Sequence, residues 1–357
     1  MARPRRPRDP IMAAPTSVAA IVGALPGGAR ETPLLVTSLS ELERTTGSVD
    51  GEVGDAVRLF FDNGGRRAYV VALDEARPLR SLDALADTNF NILVIPSTAR
   101  LPGTATRLAV AAALFAEERG AFYLADPPAE RTAQNVARWA RSFGGGPNTA
   151  LYFPRLRIRT TGGERDIAAS GAVAGVLARL DQERGVWASP SEASIQGTLG
   201  PTVELADSVH GTLSSAGVNT IRHIPSRGFR LWSARTREEI DPEWKYVSVR
   251  RLALFIEESI EQGLQWVVFE PNDQRLWTQA RAAVQAFLQT VWRSGGLKGT
   301  KPEQAFFVRC DRTTMTQDDI DDGRLIVEVG VAPLKPAEFV VIRIGLWTRR
   351  EKCEGRP

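Results

Sequence analysis

The stretch AFYLADPPAERTAQNVARWARSFGGGPNTALYFPRLRI, residues 121–158, decides how the first half of this chain folds. Its first seven residues read as a buried strand. Ala129 to Phe143 repeats apolar residues at helical spacing and stops at Gly144-Gly145-Gly146, and Thr149 to Ile158 reads as a second strand. A strand that returns through a helix to another strand is the unit of a parallel sheet. The same rhythm extends upstream, with strands at 17–25, 34–38, 67–73 and 91–97 and helices at 55–63 and 107–119 that end at Gly64-Gly65 and Gly120. Ser40 is the expected N-cap of a further helix, with Glu41 and Glu43 in its positive first turn. These elements predict a mainly parallel α/β sheet covered on both faces. SGAVAGVLARL, residues 170–180, carries a GxxxG on a helix, a spacing that suits close helix packing.

The second half loses the alternation. A long helix is expected from Trp244 to Gln262, a strand at WVVFE (266–270), and an amphipathic helix from Asp273 to Ser294. Three strands follow, at 305–311, 324–332 and 338–347, which makes this part α+β. The last strand alternates Val340, Ile342, Ile344 and Leu346 on one side with Phe339, Val341, Arg343, Gly345 and Trp347 on the other. Its backbone groups need partners. Either it closes its own sheet, or it adds to the sheet of a neighbouring molecule.

Chemistry is hard to find. The chain has 357 residues, 43% of them hydrophobic and 24% charged, with a net charge of +3 that points to no particular polyanion. Cys310 and Cys353 form no CxxC pair, and His210 and His223 sit in no zinc motif. No GxGxxG or GxxxxGK[ST] phosphate cradle occurs, and no GxSxG elbow; GTLSSAG (211–217) beside His210 completes no triad pattern. The run Asp318, Asp319, Asp321, Asp322 lacks the spacing of a calcium loop and reads instead as a helical turn capped by Thr316. No catalytic residue, cofactor or metal is therefore expected. No apolar run is long enough to span a bilayer, and the N-terminus lacks a signal-peptide core. Arg3, Arg5, Arg6 and Arg8 could contact a polyanion.

Several ordered motifs carry a resemblance. DPEWKYVSVRRLALFIEESIEQGLQWVVFEPND (241–273), WTQARAAVQAFLQTVWRSGGLKG (277–299), AFFVRCD (305–311) and LIVEVGVAPLKPAEFVVIRI (325–344) resemble the C-terminal part of contractile tail sheath proteins. PTSVAAIVG (15–23), NGGRRAYVV (63–71), GVWASPS (185–191) and SRGFRLWSARTR (226–237) extend the likeness to about 15–348. The resemblance implies a non-catalytic, subtilisin-like mainly parallel α/β domain at 17–238 and an α+β sheath core at 239–335. Extended arms are implied at 1–16 and 336–357; the first is short and Arg/Pro-rich where family members carry a β-rich strand. It further implies six-subunit rings stacked helically around an inner tube protein, with baseplate and tail-terminator proteins as further partners. No specific nucleic acid and no membrane insertion are expected, nor nucleotide hydrolysis by the subunit. Assembly would take place in the bacterial cytoplasm, in a phage tail or tail-like particle released by lysis. By the same resemblance Phe339, Val340, Val341, Ile342, Arg343 and Ile344 form a strand exchanged between subunits. Pro333, Lys335 and Pro336 form its connector, and Arg281, Gln285, Lys298 and Lys301 are candidates for facing the tube. Two other classes stay open on the residues alone: an α/β enzyme of unknown reaction, and a nucleic-acid-binding module using the Arg-rich N-terminus.

Overall fold

The structure, a computed structural model, describes residues 9–25, 32–47, 49–74, 77, 80–96, 104–334 and 340–348. The chain divides into two compact units, Pro15–Arg251 and a second made of Met1–Ala14 with Leu252–Pro357.

The first unit begins with β1 (Ala19–Gly23), β2 (Leu34–Val36), α1 (Leu39–Thr46), α2 (Glu52–Asp62) and β3 (Ala68–Ala72). It continues through α3 (Arg80–Asp83), β4 (Ile92–Val94), α4 (Ala105–Glu118), β5 (Phe122–Ala125), α5 (Val136–Phe143) and β6 (Thr149–Phe153). Then come β7 (Leu156–Thr160), β8 (Gly163–Ile167), α6 (Ser170–Arg184), β9 (Gly200–Pro201), α7 (Asp207–Ser215), β10 (Val218–Ile224) and β11 (Gly228–Leu231). Eight strands form one sheet in the order β11-β10-β6-β5-β4-β1-β3-β2. The six inner strands pair in parallel, and only the edge strands β2 and β11 run antiparallel to their neighbours. Every residue of β1, β5 and β6 is buried, as befits strands covered on both faces.

On one face α4 and α5 bring Leu108, Ala112, Trp139 and Phe143 into a core with Val22, Leu93, Tyr123 and Leu151. Elsewhere α2 and α6 lie against each other at backbone distance. A Cβ at Gly171 would come within 2.6 Å of the Ala56 carbonyl oxygen, and one at Gly175 within 2.4 Å of the Phe60 carbonyl oxygen. The GxxxG spacing thus serves helix packing. The start of α6 is held from β5: the Asp126 carboxylate accepts hydrogen bonds from the backbone N–H groups of Ala169 and Ser170, at 3.0 and 3.1 Å.

Four local expectations are corrected. The strand expected over 149–158 is two strands, because Pro154 has no N–H to give to a ladder; β6 ends before it. Beyond it, β7 joins a separate three-stranded sheet, β8-β7-β9. The helix expected from Ala129 starts at Val136, since Thr132 N–H bonds the Asn135 side chain in a turn instead. Ser38 rather than Ser40 caps α1, its hydroxyl accepting from Glu41 N–H at 3.2 Å. WVVFE forms no strand: Gln265–Phe269 is a 3₁₀ turn with Trp266 and Val267 buried.

The second unit takes up α8 (Val247–Gly263) beyond Arg251, followed by that 3₁₀ turn, α9 (Gln274–Arg293), α10 (Pro302–Ala305), β12 (Phe306–Arg309), α11 (Gln317–Asp321), β13 (Arg324–Val331) and β14 (Val340–Trp347). Asp273 caps α9 through Leu276 N–H at 2.9 Å. Its Leu276, Trp277, Ala280, Val284, Phe287, Leu288 and Val291 are buried along one stripe. The unit also holds the described N-terminal residues. Ala14 N–H donates to the Ser259 hydroxyl at 3.0 Å, and Ile11 lies so close to Gly263 that a Cβ there would meet it at 2.6 Å.

Candidate functional site

The sheet β12-β13-β14 collects most of the residues singled out in the sequence. β13 is central and antiparallel to both neighbours, with Phe306↔Val331 to Arg309↔Glu328 on one side and Arg324↔Trp347 to Val331↔Val340 on the other. Alternation fixes which face is covered. Leu325, Val327 and Val329 are fully buried, and Ile342 and Ile344 of β14 point the same way, while Arg343 is exposed. α9 packs against β12 and β13. Gly330 is needed where it stands, since a Cβ there would come within 2.1 Å of the Phe307 ring.

The outer face carries a charge ladder at matched register. Glu328 pairs with Arg309 on β12 and with Arg343 on β14, both at 3.2 Å. The Arg309 guanidinium also lies over the Phe307 ring, 4.8 Å from its centre. The ladder was not read from the sequence, although all three residues sit at outward positions of their strands.

A nearby turn builds one end of the β13–β14 pair. The acidic run is a cap, as expected: the Thr316 hydroxyl accepts from Asp319 N–H, Thr316 N–H donates back to the Asp319 carboxylate at 2.9 Å, and Arg324 pairs with Asp319 at 2.6 Å. The Thr316 hydrogen bonds hold the Asp319 carboxyl below its usual range. Gly323 then turns the chain into β13 at φ +75°, and its carbonyl accepts from the Thr348 hydroxyl at 2.7 Å. At the other end Ala332 N–H bonds the Ala305 carbonyl, and Pro333 is buried. Lys335, Pro336 and Phe339 lie outside the described residues, as do Arg3, Arg5, Arg6, Arg8 and Cys353. Val340 and Val341 pair through their backbones with Val331 and Gly330.

The residues proposed to face a tube are scattered in environment. Gln285, Lys298 and Lys301 are exposed, and Lys298 N–H is tied to the Ala332 carbonyl. Arg281 is half-buried; its charge acts on Asp311 and Cys310 at the end of β12.

Groups with chemical potential lie elsewhere and are engaged structurally. Burial pushes the Asp126 carboxyl up to about 7, against the pull of Ser170 and Arg155. His210 is buried with Nδ1 2.7 Å from the Thr220 hydroxyl, and burial lowers its pKa. His223 packs beside Phe229 on the β10–β11 hairpin. Burial raises the Cys310 thiol to about 12, which leaves it a poor nucleophile. Among the described residues no three His, Cys, Asp or Glu side chains come together as a metal site, and no helix is long and apolar enough to cross a membrane.

Comparison with known proteins converges on one family. The phage tail sheath protein central domain matches residues 74–237, and the phage tail sheath C-terminal domain matches residues 239–346. A prophage major tail sheath protein of Pseudomonas aeruginosa (strain UCBPP-PA14) is 26% identical over 287 residues, 78% of this chain and 72% of that protein. Among solved structures, the sheath complex of the extracellular contractile injection system PVC in its contracted state matches at TM-score 0.79 and 28% identity, covering 96% of this chain and 95% of that one. A chain of the six-fold symmetrised baseplate of the anti-feeding prophage matches at TM-score 0.74 and 30% identity, covering 93% and 94%.

Proposed function

The chain belongs to the phage tail sheath family, a structural component of phage tails and contractile injection systems, and from that premise we propose that it polymerises helically around an inner tube and drives the tube forward on contraction. Six-subunit rings stack along the tube. Baseplate and tail-terminator proteins bound the two ends. Residues 17–238 form a subtilisin-like body without catalytic function, 239–335 form the sheath core, and 1–16 and 336–357 act as arms. Assembly takes place in the bacterial cytoplasm, and lysis releases the particle. Energy is stored in the assembled lattice, so no nucleotide is hydrolysed by the subunit.

The observation that carries this reading is the position of β14. Within this chain it closes its own sheet: it lies at the edge, among the described residues pairs its backbone with β13 alone, and follows β13 after the connector 332–339. A strand in that position can leave β13 and be replaced by the identical strand of a neighbour, with every backbone bond and the Glu328–Arg343 pair conserved. Exchange of this kind links subunits while their bodies move.

Deleting residues 336–357 tests it. The truncated chain is expected to stay soluble, to keep the circular dichroism of the α/β body, and to form no polymer in negative-stain micrographs where the full chain does. Polymerisation of the truncated chain would remove β14 from the assembly.

A further inference from the structure

The aliphatic face of β14 cannot fix its own register. Alternation gives Val340, Ile342, Ile344 and Leu346 one side of the strand, opposite Val331, Val329, Val327 and Leu325 of β13. A slip of one residue would turn that side out to water. A slip of two only exchanges one aliphatic residue for another at every pair. The Glu328–Arg343 pair favours the observed register weakly: Arg343 is exposed, and after a slip of two its long side chain still reaches Glu328 from the diagonal position. The connector 332–339 limits slipping only while β14 stays with its own β13. A strand taken up by another copy has no connector to the β13 that it meets.

The next residue on the aliphatic side is Thr348. It is buried and stands directly beyond the Arg324↔Trp347 pair, opposite Gly323. Its backbone N–H and its hydroxyl both donate to the Gly323 carbonyl, the hydroxyl at 2.7 Å. That acceptor is held from several sides. Gly323 N–H donates to the Ile320 carbonyl at 3.0 Å, at the end of the turn that Thr316 and Asp319 cap. The Asn272 side chain donates to the Arg324 carbonyl at 3.0 Å and is itself held by the Trp277 indole N–H at 2.8 Å. The fit is close, since a Cβ on Gly323 would come within 2.9 Å of the Thr348 carbonyl oxygen.

A slip of two would bring Leu346 or Arg350 opposite Gly323. Either still offers a backbone N–H, but neither carries a donor on its Cβ. Leucine leaves the second lone pair of a buried carbonyl without a hydroxyl, and arginine brings a long charged side chain to a place where Thr348 is 7% exposed.

We infer that Thr348 is the residue that sets the register of strand exchange: the incoming strand of one copy is located by its Thr348 on the Gly323 carbonyl of another. The inference rests on the reading of β14 as an exchanged strand, and adds to it the side chain that makes every exchange alike.

Disulfide trapping reads the register. In a chain carrying Cys353→Ser, Glu328→Cys is combined with Arg343→Cys, which reports the observed register, or with Val341→Cys or Gly345→Cys, which report slips of two in either direction. All three place the new thiols on the same face. Without further change the 328–343 link should dominate under mild oxidation. Thr348→Val, which keeps the shape and loses the hydroxyl, should raise the share of slipped links about fivefold. Thr348→Ser should restore the unaltered pattern. Leu346→Thr with Thr348→Leu moves the hydroxyl by two residues and should make 328–341 the main link. Unchanged shares in Thr348→Val, slipping in Thr348→Ser equal to that in Thr348→Val, or a dominant 328–343 link in the moved-hydroxyl variant would each overturn the inference. In assembled polymer the links should join different chains, as non-reducing gels would show. Links confined to single chains would retire the exchange reading instead, while the shares would still decide whether Thr348 sets the register.

Discussion

In the unit Pro15–Arg251 one ion pair lies deep inside, although others stay at the surface. Arg251 grips both carboxylate oxygens of Asp181, at 2.9 and 2.7 Å, with both side chains only 5% exposed. The same guanidinium donates to the Thr16 carbonyl, and the Thr16 hydroxyl donates to Asp181. In the C-terminal sheet charge stays outside. Glu328 meets Arg309 and Arg343 on the open face, where the arginine side chains are 59% and 75% exposed. The difference suits two tasks. Interior ion pairs tie distant segments into one rigid arrangement and are costly to break. Surface ladders set register at little cost and can be remade with another copy.

The largest effect should come from breaking the interior cluster. Arg251→Met leaves Asp181 buried with only the Thr16 hydroxyl, which should cost about 3–5 kcal/mol in urea unfolding. Replacing both partners, Arg251→Met with Asp181→Leu, should restore much of that loss, because no lone charge stays buried. A cost for Arg251→Met near that of a surface pair would erase the contrast between the regions.

Asp126 gives the next effect. Its carboxyl rises from the ordinary 3.8 to about 7 on folding, chiefly through burial. Arg155 and Ser170 favour the charged form, and Glu52 opposes it. The folded chain therefore binds this proton more tightly than the unfolded chain between those values. Its stabilising contribution is complete below the unfolded pKa and is lost as pH rises to about 7. Wild-type stability should fall by about 2–3 kcal/mol between pH 5 and pH 8 from this group alone. In Asp126→Asn that slope should largely vanish, as thermal melts at the two pH values would show. An unchanged slope would place the titrating group elsewhere.

The two regions were also unequally legible. The parallel sheet could be read because buried strands are continuous apolar runs between glycine-closed helices, and Gly120 and Gly144 stand where such helices stop. Gly171 and Gly175 could be read for the same local reason. Trp266 to Phe269 could not. A short run of aromatic and β-branched residues fits strand and 3₁₀ turn alike, and Val268 and Phe269 are in fact exposed at 47% and 65%. The break at Pro154 was in plain view, but only the tertiary arrangement sends β7 into another sheet. In the candidate site the strands and the Thr316 cap were legible because both are set by neighbours in sequence. The Glu328 ladder was not. It depends on the pairing register of three strands.

The smallest effect should follow Glu328→Gln, and its smallness is informative. The glutamate side chain is 12% exposed, but both of its partners reach into solvent. Water screens each pair, and the arginine rotamers must be ordered to make it, so each contributes well under 1 kcal/mol. The backbone ladder from Arg324↔Trp347 to Val331↔Val340 is untouched by the change, and so are the buried contacts of Ile342 and Ile344. The folded monomer should therefore lose roughly 1 kcal/mol or less in urea unfolding, and even less at high salt. The outcome bears directly on the contrast with Arg251. If the outer charges only help choose register, removing them barely changes stability, while a slip of one residue would still drive Ile342 and Ile344 out of the core. A loss approaching that of Arg251→Met would mean that the sheet is held by its charges rather than by its buried face. The regions would then differ in where charge sits, but not in what it does.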